Sequence, residues 1–91
     1  MDKREKLNSM EKMIRELNDI VNSQTSLLKK IAQLEAENIN LGISLLEQKL
    51  PEIHSNADDT LNAAHSLVEE FTKVKDKFIK DNKLNEESPV V

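Results

Sequence analysis

The chain has no cysteine, no tryptophan and no tyrosine, and it carries only two phenylalanines and one glycine in 91 residues. Without cysteine there is no disulfide framework and no thiolate metal site, and nothing points to an oxidising compartment. A single glycine excludes a glycine-rich phosphate loop, and neither G-x-S-x-G nor H-E-x-x-H occurs. Large aromatic anchors are nearly absent, so Leu, Ile, Val and Met must carry the packing. Apolar runs reach only two to three residues, too short for a membrane span, and MDKREKLNSM has no apolar centre for a signal peptide. These absences set the expectation of a non-enzymatic, cytoplasmic protein with no cofactor, no metal and no small-molecule substrate.

What the sequence does contain is charge. Thirty of the 91 residues are charged and the net charge is −4, a balance suited to long amphipathic helices rather than to a sheet. The sign is unevenly placed: +2 over residues 1–30, −7 over 31–72 and +1 over 73–91. No basic face with interleaved aromatics exists for nucleic acid. A chain this short buries little surface alone, so help from association is expected.

Two apolar seams run through it. The first, at alternating three- and four-residue spacing, is Met10, Met13, Leu17, Ile20, Gln24, Leu27, Ile31, Leu34, Asn38, Leu41, Leu45 and Gln48. Ile14, Val21 and Leu28 add a third apolar position per heptad, widening the stripe until it calls for more than one neighbour. The second seam begins at Ile39 and Ile43 and runs through Leu46, Leu50, Ile53, Ala57, Thr60, Ala64, Leu67, Phe71, Val74 and Phe78. Where the two overlap, a single helix would be apolar on both faces and at least one face would have to meet another chain. Gln24 and Asn38 interrupt the first seam two heptads apart; they are read as register-setting amides, or as residues turned to solvent at the seam's edge.

Asp2 and Glu5 have capping-box spacing, which starts a helix near Lys3. Pro51 removes a backbone donor and disfavours helical geometry at Leu50, so helix one is predicted over 3–49 with a break over 50–55. Ser55 and Asp58 repeat the capping-box spacing and predict helix two over 56–82; residues 83–91, with no periodicity, read as a disordered tail. Because the second seam crosses Pro51 in phase, a Pro51-kinked rod competes with a helical hairpin. Gly42 is a further candidate turn, but it would leave Pro51 inside the second helix. His54 with Asp58 and His65 with Glu69 share a helix face, yet the histidines lie roughly 16 Å apart at helical rise, too far for one metal site; a solvated polar face is the simpler reading.

The expectation is therefore an all-α protein of two long amphipathic helices with coiled-coil character. Partner-binding residues are expected at Leu17, Ile20, Leu27, Ile31, Leu34, Leu41, Ile43, Leu45, Leu46, Leu50, Leu67, Phe71 and Phe78. In size, scarcity of aromatics and two-part layout the chain is similar to small subunits of hetero-oligomeric helical assemblies such as the kinetochore DASH and lysosome-related BLOC-1 complexes. No motif of either carries over residue by residue. Expected function is that of a structural or adaptor subunit in a hetero-oligomeric complex. The alternatives are a self-assembling homo-oligomeric bundle of phage or bacterial type and, more weakly, a helix lying on a lipid surface, which the acidic middle opposes.

Overall fold

Helix α1 runs Lys3–Leu41 and helix α2 runs Ser44–Asp81 in a computed structural model that describes residues 1–84. The two lie side by side and antiparallel, forming an all-α hairpin 66 Å long and about 20 Å across. Neither proline nor glycine occurs between Lys3 and Leu41, which leaves α1 uninterrupted. Its N-terminus is capped as the spacing of Asp2 and Glu5 predicts: the Asp2 carboxylate accepts from the Glu5 backbone N–H at 2.8 Å. That bond holds the Asp2 carboxyl below the ordinary carboxylate value.

The turn is at Gly42 and Ile43, not at Pro51. Gly42 adopts the left-handed conformation, φ +68°, and its N–H donates to the Asn38 carbonyl at 2.7 Å, closing α1. The Asn38 side chain then grips the next residue from both sides, with Nδ2 donating to the Ile43 carbonyl and Oδ1 accepting from the Ile43 N–H, each at 3.0 Å. Ile43 opens α2 without a side-chain cap of its own. The expected helix boundary at Lys49, the break over 50–55 and the start of helix two at Asn56 are therefore corrected. Pro51 lies within α2, about two turns from its start, on an exposed position.

Packing explains the choice. A turn at Gly42 divides the helical chain into 39 and 38 residues, so both helices are paired along their whole length. A turn at Pro51 would leave the first helix far longer than the second, with its surplus apolar stripe unpaired. The loss at an interior proline, about 3 kcal/mol, is smaller than that of leaving several Leu and Ile side chains uncovered at roughly 1.5–3 kcal/mol each.

The inner faces repeat at heptad spacing. On α1 they are Leu7, Met10, Ile14, Leu17, Val21, Gln24, Leu28, Ile31, Glu35 and Asn38; on α2, the set from Leu50 through His54, Ala57, Leu61, Ala64, Val68, Phe71, Lys75 and Phe78. Glu35 meets His54 across the pair, Leu17 and Phe71 line one groove between the helices, and Arg4 bonds Leu84 just beyond the end of α2. Even so, the buried hydrophobic side chains number only Leu7, Val21, Ile31, Leu50, Ala57 and Leu84 among the described residues.

The C-terminal end corrects a second expectation. Lys83 takes a left-handed φ of 54° and brings Leu84 back over the first turn of α1, where it is buried and its carbonyl accepts from Arg4 Nη2 at 3.0 Å. Lys83 and Leu84 are thus ordered parts of the hairpin, and the remainder of the expected tail, 85–91, lies outside the described residues. No helix among the described residues is long and apolar enough to cross a membrane.

Candidate functional site: the apolar flank of the hairpin

Each helix presents a residue immediately before every second inner-face position, and these fall on one side of the hairpin. On α1 they are Met13, Ile20, Leu27, Leu34 and Leu41; on α2, Ile53, Thr60, Leu67 and Val74. The heptad registers of two antiparallel helices bring these positions together, so that Met13 and Ile20 line one apolar groove with Leu67 and Phe71. All remain open to solvent: Met13 is 53% exposed, Ile20 45%, Leu67 49% and Val74 54%. The opposite side carries the residues that follow inner-face positions, among them Glu11, Asn18, Thr25, Asp58, His65 and Thr72. One flank is predominantly apolar and the other mainly polar, its large apolar members being Ile39, 81% exposed beside the turn, and Ile79.

The expected binding residues divide accordingly. Leu17, Ile31, Leu46, Leu50, Phe71 and Phe78 face the other helix and are buried or half-buried. Ile20, Leu27, Leu34 and Leu67 form the exposed flank, and Leu41 continues it to the turn at 65% exposure. Ile43 and Leu45 sit exposed at the turn, which corrects the expectation of a two-sided helix over 39–48: Leu41 ends one helix and Leu45 lies in the first turn of the next. Of the amides, Gln24 is half-buried on the inner face, whereas Asn38, only 4% exposed, bonds the turn backbone rather than an amide across a seam.

Sequence reasoning missed Glu35 and put His54 on a solvated polar face; instead His54 is half-buried, and its Nδ1 meets Glu35 Oε1 at 2.8 Å between the helices. The available signal was the heptad phase of Ile31 and Asn38, which places Glu35 on the inner face. It also missed the cation–π contact of Lys6 over the Phe78 ring, 5.2 Å to the centroid. Among the described residues no cluster of His, Asp or Glu could hold a metal ion.

Folding also redistributes charge. Residues 1–15 and 72–84 meet at the open end and together carry ten basic and five acidic side chains, a net +5. Residues 32–55, around the turn, carry Glu35, Glu37, Glu47 and Glu52 against Lys49, a net −3.

The geometry defines a class: an antiparallel helical hairpin with one apolar flank and opposite charge at its two ends. Residues 1–81 match the family model NBD94, described as Nucleotide-Binding Domain 94 of RH, and the chain belongs to that family. No curated protein and no solved structure matches it.

Proposed function

We propose that this chain is a non-enzymatic structural module that works by packing helices into a larger assembly through its apolar flank. The asymmetry of the two flanks carries the reading. A hairpin evolved to stand alone has no use for a row of half-exposed Met, Ile and Leu on one side when the other is mainly polar, and contiguous apolar patches of this kind mark interaction surfaces. Replacing Leu34 and Leu67 with Glu is expected to keep the helical circular dichroism of the parent while abolishing chemical cross-links from Lys30 and Lys49, which border the flank, to helices of any other polypeptide in the native assembly. Unchanged cross-links and assembly size would overturn the reading.

A second reading comes from the family, which is named for nucleotide binding. Its support in this chain is the basic open end, where Lys3 and Arg4 border a groove closed by Leu84; phosphate groups favour such a surface. Titration calorimetry with ATP, ADP and inorganic pyrophosphate tests it. Binding that weakens with salt and with Lys3→Gln supports a phosphate-directed site, and no heat with any of the three ligands overturns it.

A further inference from the structure

The partner that covers the apolar flank can be identified from its size and from the charge at its two ends. Eight large side chains, each about half exposed, leave on the order of 700 Å² of apolar surface there, close to the about 800 Å² per partner that a standard stable interface buries. A lipid surface is a poor occupant, because the flank carries Glu16, Glu37 and Glu70 along its outer edge beside Lys30, Lys49 and Lys77; a mixed rim suits a protein whose own rim is mixed. The ends then decide orientation. Laid parallel on a second copy, the hairpin would set its +5 open end on another +5 end; laid antiparallel, it sets that end on the −3 turn.

We infer that the flank pairs with a second copy of this chain in antiparallel orientation, forming a four-helix bundle about a two-fold axis perpendicular to the hairpin. The inference rests on the reading of the hairpin as a helix-packing module. The axis that superposes the stripes passes midway between Ile20 and Leu27 on α1. Met13 then faces Leu34 of the second copy, and Ile20 faces its Leu27. The groove between Met13, Ile20, Leu67 and Phe71 receives Leu34 of the second copy, and at the rim Glu16 approaches the copy's Lys30. Lys49 would face Lys77, so the preference comes from the ends as wholes rather than from every rim pair.

Sedimentation equilibrium on the full chain tests the association, and pulsed electron resonance on single labels tests its geometry; the absence of native cysteine makes Ser23→Cys and Lys3→Cys the only labelled positions in each variant. A dimer is expected, with a short distance between the two Ser23 labels and about 60 Å between the two Lys3 labels, from the helical rise on either side of the axis. Ile20→Lys with Leu27→Lys should raise the dissociation constant at least about tenfold with helical content retained, and Asn18→Lys with Thr25→Lys on the polar flank should not. A monomer at all concentrations overturns the inference, as does a short Lys3 distance, which means parallel pairing, or equal weakening by the polar-flank control. A monomer that still cross-links through Lys30 and Lys49 to another polypeptide would leave the module reading standing. A dimer without such cross-links would overturn only the larger assembly.

Discussion

Asn38 concentrates more of the fold in one side chain than any other residue. Buried and bonded to both backbone groups of Ile43, it fixes the angle at which α2 leaves the turn. Asn38→Ala leaves the Ile43 N–H without its acceptor, while the Ile43 carbonyl keeps the Glu47 N–H at 3.1 Å, and the expected loss is about 1–3 kcal/mol by chemical denaturation. Gly42 gives a different signature. A Cβ there meets nothing within 4 Å, so Gly42→Ala is resisted by its φ of +68° alone, with an expected loss of roughly 1–2 kcal/mol. Gly42→Asn, which tolerates the left-handed conformation, should recover most of it; if both variants lose equally, crowding rather than backbone conformation is responsible.

Asp2 gives a pH dependence at the same scale. Its carboxyl is held below the ordinary value by the Glu5 N–H, so the folded state favours the ionised form relative to the unfolded chain. That contribution is present above the unfolded carboxylate range and disappears as pH falls through the lowered folded value. The stability difference between parent and Asp2→Ala should therefore be constant near neutrality and shrink in acid, whereas the difference between Asp2→Asn and Asp2→Ala, neither of which titrates at position 2, should not change with Asp2's ionisation.

At the scale of the helix, Pro51 is a residue that the packing overrules. Its ring removes the donor that would bond the Glu47 carbonyl, and it sits on an exposed position at the edge of the hollow it lines with Ile39 and Leu50. Pro51→Ala should stabilise the hairpin by up to about 3 kcal/mol without moving the turn. Spin labels at exposed Lys12 and Asp76 check the turn directly: the hairpin places both near the open end, whereas a rod bent at Pro51 would hold them roughly 90 Å apart. A short distance that persists on dilution with unlabelled protein belongs to the single chain. The Glu35–His54 contact adds little by comparison, since both side chains are substantially open to solvent; a double-mutant cycle should return about 0.2–1 kcal/mol.

For the whole molecule, the thin core makes stability depend on association. Two helices side by side cannot enclose their inner faces, and six buried hydrophobic residues among the 84 described are few. The melting temperature of the parent should rise with protein concentration, and that of the Ile20→Lys, Leu27→Lys variant should be lower and independent of it. Leu84 closes the open end at 5% exposure, and Leu84→Ala should cost about 2–3 kcal/mol, measured by denaturant unfolding.

Helix type, the start at Lys3 and the apolar character of both stripes were determined by the sequence alone, because capping and periodicity act within a few residues of each other. The width of the first stripe, with Ile14, Val21 and Leu28 beside Ile20 and Leu27, already implied two neighbours. Which column faces which neighbour was decided only by pairing: α2 covers Ile14, Val21 and Leu28, leaving Met13, Ile20, Leu27 and Leu34 open. The turn was likewise a tertiary decision. Pro51 is the stronger local breaker, but Gly42 yields helices of matched length whose apolar faces cover each other, and a proline on an exposed position costs less than uncovered leucines. The charged ends arise the same way, since residues 1–15 and 72–84 become one basic surface only when the chain folds back on itself.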